Sequence, residues 1–211
     1  MTDVGAAGAG SEGIMSELKE ALARGDVVHS DGWVIFGPPV RGRQCGACTA
    51  CCTQLPVDLG CEVKPANVSC KHICSRGCRI YAGRPEPCVA WSCAWLINAS
   101  TDKLRRPDQS GLVIDCQMDE ILADGRRQMV IQVWVDPGRP DAHRDTHFRQ
   151  WLSAQRMPAI VRTGSYDGFV LVPPSLSREG KWLEIPAEIN TSIGLYSKIP
   201  QRNLQGVDAL P

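Results

Sequence analysis

The stretch "CGACTACC", Cys45 to Cys52, sets four cysteines into eight residues, and the use made of those sulfurs decides what kind of fold this chain builds. Cys45, Cys48 and Cys51 form C-x2-C-x2-C, a spacing that lets a turning backbone aim successive sulfurs at one centre. It occurs for three ligands of an iron-sulfur cubane whose fourth ligand comes from elsewhere, and C-x2-C alone is half of many tetrahedral zinc sites. Cys52 adds information, because neighbouring side chains of an extended chain point to opposite sides, so Cys51 and Cys52 need not serve the same centre. Downstream, Cys70, Cys74 and Cys78 are spaced by four, and Cys88 and Cys93 complete the set. Two four-coordinate sites are numerically open, as is one cluster plus one zinc.

The surroundings agree with ligation. Residues 45 to 95 hold ten of the eleven cysteines, are interrupted by prolines and glycines, and offer few aliphatic side chains for a core of their own. Metal binding can supply folding free energy where hydrophobic burial cannot. The N-terminal "MTDVGAAGAGSEG" carries acidic residues with no basic n-region or apolar core, so it does not read as a signal peptide, and no long apolar run follows. These features predict a cytoplasmic protein that neither spans nor sits on a membrane. In that reducing compartment structural disulfides are rare, which favours metal or redox chemistry for so many thiols. Lys plus Arg equals Asp plus Glu at 23 each, and the basic runs at Arg41 to Arg43, Lys103 to Arg106 and Arg126 to Arg127 are short. They read as solvated loops, so no nucleic-acid partner is expected, and no protein partner is named by any motif.

Outside the cysteine segment the chain of 211 residues reads as one domain, residues 1–211, with a cysteine-rich lobe at 41–97 inside it. "SEGIMSELKEALARGD" places Ile14, Leu18, Ala21 and Leu22 at helical spacing and Gly25 as a stop. "VVHSDGWVIF" alternates about Asp31-Gly32, a hairpin signal. "GLVIDC" and "MVIQVWVDPG" are β-branched runs, and "AIVRTG", "GFVLVPP" and "KWLEIP" give three more extended segments. "DTHFRQWLSAQ" puts Phe148, Trp151 and Leu152 on one helical face behind Asp145 as N-cap. Within the lobe, helix is expected only near the end, where Trp91 and Trp95 stand i,i+4 and read as core packing. The final ~20 residues lack a period and read as a loose tail. The predicted class is α+β: a small antiparallel sheet with flanking helices and a metal-stabilised cysteine-rich lobe.

"CGACTACC" followed by "SCKHICSRGCRIYAGRPEPCVAWSC" resembles the CxxCxxCC cysteine-cluster family, YkgJ-like proteins described as zinc- or iron-chelating. The resemblance covers about residues 45 to 96; its later part, a small residue, Cys, an apolar residue, Tyr, then Arg-Pro and another Cys, is the more specific. It implies a metal-binding protein that takes zinc or iron, an iron-sulfur cluster included, through Cys45, Cys48, Cys51, Cys52, Cys70, Cys78 and Cys88, with Cys93 close behind. Tyr81, Arg84 and Pro85 lie between two implied ligands, where Pro fixes the loop and Arg can donate to carbonyls or to thiolates. Cys61, Cys74 and Cys116 do not match the family's core pattern; Cys116, in a predicted strand, reads as a small buried hydrophobe.

The histidines add little. His72 stands two residues from both Cys70 and Cys74 and is an alternative ligand; His143 and His147 are spaced i,i+4, but Asp145 as N-cap puts His143 outside the helix, and both read as solvated. There is no Gly-x-Ser-x-Gly, no Gly-Lys-Ser/Thr phosphate loop and no dinucleotide fingerprint. Any enzyme chemistry would therefore lie at the metal or a cysteine. Three functions follow: a metal-binding or metal-carrying module, an iron-sulfur redox protein or metalloenzyme component, and a catalytic role like that of cluster-bearing relatives associated with lysine methylation of flagellin. For the last, the chain shows no binding motif for a methyl donor.

Overall fold

The computed structural model of the chain describes residues 28–30, 33–59, 62–123, 126–189 and 197–198. The amphipathic segment around Ile14 to Leu22, Cys61 and most of the last 20 residues lie outside them.

Strands β1 (Val28–Ser30) and β2 (Trp33–Phe36) pair antiparallel; the Asp31-Gly32 pair read as their turn lies outside the described residues. The cysteine lobe follows, with α1 (Ala50–Gln54), the two-stranded ribbon β3 (Val57–Asp58) and β4 (Val63–Lys64), and a second ribbon of β5 (Ile73–Cys74) and β6 (Gly77–Cys78). Helical turns α2 (Glu86–Ala90), α3 (Ala94–Ile97) and α4 (Pro107–Ser110) lead out of it. Helix therefore appears earlier in the lobe than expected: Ala50 packs in one cluster with Val113 and Trp134 of the sheet, and that contact supplies what the local sequence does not. Trp91 and Trp95 are not on one helix. Trp91 is the extended residue that ends α2, and Trp95 belongs to α3.

The long strands β7 (Leu112–Ala123) and β8 (Arg126–Val135) form the centre of the body, followed by α5 (Thr146–Gln155), β9 (Ala159–Arg162), β10 (Gly168–Val172), β11 (Leu183–Pro186), β12 (Glu188–Ile189) and β13 (Ser197–Lys198). They make a seven-stranded sheet in the order β11-β10-β9-β8-β7-β13-β12. The sheet is larger than expected and mixed, because β8 pairs parallel with β9 and β7 parallel with β13. Parallel neighbours need a crossover, and α5 supplies the one from β8 to β9. Ser197 and Lys198, assigned to the tail from sequence, are sheet residues, an effect of pairing with a strand distant along the chain.

Alternation sorts the sheet's side chains. Leu112, Ile114, Ile131, Val133, Val135, Ala159, Val161 and Leu171 meet Phe148, Trp151 and Leu152 of α5 and Trp33 of β2 on one face. Each such side chain contributes about 1.5–3 kcal/mol by leaving water. The N-cap is as expected: Asp145 Oδ1 accepts from the amides of His147 at 2.9 Å and Phe148 at 3.1 Å. The opposite face presents Val113 and Trp134 to Ala50, Leu55, Cys48, Cys51, Trp91 and Cys93, so it is the floor on which the cysteine lobe rests. Buried there too are Arg162 and Asp119, paired at 3.1 Å with neither side chain exposed.

His143 corrects the expectation of two solvated histidines. It is buried at 4% exposure, bonded through Nδ1 to Pro140 O and through Nε2 to Glu184, where it packs edge-on to Phe169. Only the fold brings Glu184, far along the chain, to that imidazole. His147 remains exposed.

Candidate metal centre

All ten described cysteines are free thiols. Cys45 and Cys48 flank a turn closed by the Cys48 amide on Cys45 O at 2.9 Å. Cys51 lies in the first turn of α1, and Cys93 caps α3, its carbonyl accepting from Leu96 N at 2.9 Å. These four line one small cavity with Trp95, Arg106, Pro107 and Val113. Cys93 reaches it because its backbone bridges to Asp115, where the register of β7 against β8 shifts; such a bulge re-aims side chains.

Cys52 belongs to another neighbourhood. Successive residues of an α-helix diverge by roughly 100°, so the argument from extended chain gives way to a helical one with the same outcome: Cys51 faces the cavity and Cys52 does not line it. Cys52 O accepts from Cys70 N at 3.0 Å, the His72 amide reaches Cys70 Sγ at 3.5 Å, and Ile73 pairs with Cys78 across the β5–β6 ribbon. Cys88 sits in α2, its amide held by Pro85 O at 3.0 Å. The ribbon is pressed onto the first loop at Gly77. Its φ is +108°, and a Cβ there would collide with the carbonyl oxygen of Gly46, between Cys45 and Cys48.

Electrostatics distinguish the cysteines and join the two groups at Cys51 and Cys52. Burial lifts the Cys93 thiol to about 12, with the Leu96 amide working against it. Burial also raises Cys48, offset in part by the backbone amides of Ala50 and Asp108. A hydrogen bond between their side chains links Cys51 and Cys52: it raises Cys51, together with burial, and pulls Cys52 down to about 7, helped by Lys64 and Arg84. The Cys88 thiol is raised by burial and then by the charges of Cys52 and Cys70. Lys64 Nζ is held by the carbonyls of Thr53, Pro65 and Val68 at 3.3, 3.0 and 2.8 Å. Arg84 lies over the Tyr81 ring at 4.0 Å and donates to Tyr81 O at 3.1 Å, one of the roles the sequence suggested for it.

Several contributors were not apparent in the sequence. Arg106, grouped there with solvated basic residues, lines the cavity and pairs with Asp108 at 2.7 Å. Arg43 bonds Trp95 O, and donates to Asn98 O at 3.0 Å and Thr101 Oγ1 at 2.7 Å, tying the lobe's entry to α3. Asp115 is buried at 7% exposure and accepts from Trp91 Nε1 at 2.8 Å and Gln117 N at 2.9 Å, and burial raises its carboxyl to about 6. A break in the apolar run at "IDC" is the one signal that could have found it. Cys116 is buried at 1% exposure, as expected of a small hydrophobe, and Cys74 lies in β5, paired with Gly77 across the ribbon. A cleft of about 580 Å³ adjoins the cavity, sharing Trp95 and floored by Leu104, Leu112, Ile114 and Phe148.

Among the described residues, no three His, Cys, Asp or Glu side chains stand close enough together to hold a metal ion as placed. Among the described residues that line the cavity the donors are sulfurs, a set that suits thiophilic cations by its softness, with the Asp108 carboxylate bonded to Cys48 and the Tyr81 hydroxyl to Cys45 beside it. The fold and site together define a class: a mixed α/β sheet carrying a thiol-rich lobe on one face. Comparison with family models, with curated proteins and with solved structures finds no match to this chain. No described helix is long and apolar enough to cross a membrane.

Proposed function

We propose that this protein binds zinc or iron through its cysteine lobe, as its resemblance to the CxxCxxCC family implies. The observation that carries the reading is that Cys45, Cys48, Cys51 and Cys93, from separated segments, converge on one cavity. Burial disfavours thiolates there, and a bound cation would supply the charge that reverses this, since coordinating thiols are deprotonated outright. Trp95, Pro107 and Val113 keep the cavity apolar, while Arg106 stands at its edge as a positive neighbour.

A second reading, an iron-sulfur redox centre, is favoured by one feature. C-x2-C-x2-C with a remote fourth cysteine is the ligand pattern of a cubane, and an apolar wall around such a centre influences its potential.

Elemental analysis and the visible spectrum of anaerobically purified protein test both. Metal in fixed ratio to the chain supports binding; iron with acid-labile sulfide and broad visible absorption selects the redox reading, and colourless protein with zinc the structural one. Protein that carries no metal and takes up neither zinc nor iron refutes the proposal. Cys48→Ser should lower the bound metal and Cys116→Ser should leave it unchanged, because Cys116, though packed in one cluster with Cys45 and Cys93, does not line the cavity; equal loss in the two variants would overturn the ligand assignment.

A further inference from the structure

Eight cysteines are more than one tetrahedral ion needs, and the structure sorts them by neighbourhood. Only Cys45, Cys48, Cys51 and Cys93 of the ten described line the apolar cavity. Cys52, whose thiol is hydrogen-bonded to that of Cys51, does not itself line the cavity and is tied through its backbone to Cys70, whose own segment is paired with Cys78 through the β5–β6 ribbon. Cys88 comes to the same side on α2, which packs on β3, the strand after α1.

We propose that Cys52, Cys70, Cys78 and Cys88 form a second, separate tetrathiolate site for a divalent cation, so that one chain holds two metal centres joined at the Cys51–Cys52 peptide. This rests on the metal-binding reading above and adds to it the number of centres and their difference in kind. A dication with four thiolates carries two net negative charges. At the second site Lys64 and Arg84 stand ready to balance them. Each bears on the Cys52 charge, and Lys64 also on those of Cys70 and Cys88. The first site has Arg106, already paired with Asp108, and apolar walls. The first is therefore the apolar centre, and the second, with Lys64 and Arg84 beside it, is the one that exchanges its ion with solvent.

The test is titration of the full-length, reduced, metal-stripped chain with cobalt(II), whose thiolate charge-transfer bands report each tetrathiolate formed. The wild type should saturate at two cobalt ions per chain. Cys52→Ser and Cys78→Ser should each leave one, and Cys48→Ser and Cys51→Ser should each leave the other. A measurement on the wild type alone guards against variants that fail to fold: release of cobalt to a chelator should show two phases of equal amplitude, and a single phase would refute the second site. Saturation at a single ion that Cys51→Ser and Cys52→Ser both abolish would refute the second site while leaving metal binding intact. A wild-type chain that binds no cobalt and no other thiophilic ion would refute the metal-binding reading itself, and this one with it.

Discussion

Gly77→Ala isolates the contact that holds the two cysteine segments together. At φ +108° an L-residue is strained, and the left-handed backbone costs about 1–2 kcal/mol. The new methyl would also meet the Gly46 carbonyl oxygen, with Gly46 C at 3.5 Å and Ala47 Cα at 3.6 Å. These neighbours are backbone and yield only by moving the loop between Cys45 and Cys48, an overpacking cost of about 1–3 kcal/mol. The sum is a loss of about 2–5 kcal/mol. Gly42→Ala is the control: its φ is +85° but nothing lies within 4 Å of its Cβ position, so only the backbone cost of about 1–2 kcal/mol applies. Urea unfolding of both variants and the wild type, prepared at identical metal content, gives the difference directly. Equal destabilisation of the two within about 0.5 kcal/mol would show that the ribbon does not bear on the loop, and would refute the packing argument.

Further outcomes follow from the sheet and the helix packed on it. Arg162→Met strands Asp119, whose side chain is fully buried, and should cost about 3–5 kcal/mol. Adding Asp119→Leu should recover most of that in a double-mutant cycle read by urea unfolding; no recovery would mean the pair is not the source of the loss. Glu184 binds Arg144 at 3.1 Å, which together with His143 holds its carboxyl below the ordinary 4.5. A lowered native pKa means the unfolded chain takes up the proton first, so the stabilisation is present above pH 4.5 and is lost as pH falls through the native value. Melting temperature followed over that acid range should therefore fall less steeply in Glu184→Gln than in the wild type, and parallel curves would refute the role given to this pair.

How far the chain could be read from its residues varies with distance along it. The β1–β2 hairpin, the long β7 and β8 runs and α5 with its Asp145 cap were legible, because turn chemistry, alternation and capping depend on neighbours a few positions apart. So was the burial of Cys116. The parallel pairings were not: a short β-branched run is the same signal in either direction, and α5 between β8 and β9 is what makes that pairing parallel. His143 and Arg106 were read as solvated because charge and polarity along the sequence do not reveal a partner such as Glu184 or a cavity wall.

The sequence by itself determined that this protein has a cysteine segment unable to build its own hydrophobic core, attached to strands and a helix that can. The division of its sulfurs is a tertiary matter. Cys45, Cys48 and Cys51 announce themselves by spacing, but Cys93 joins them only because α3 is anchored to the bulge in β7, and Cys52, beside Cys51 on the helix that forms at Ala50, is left off the cavity wall. Spacing constrains ligands that share a loop. Which distant sulfurs meet is set by where long-range packing closes the chain, and that depends on contacts no local pattern encodes.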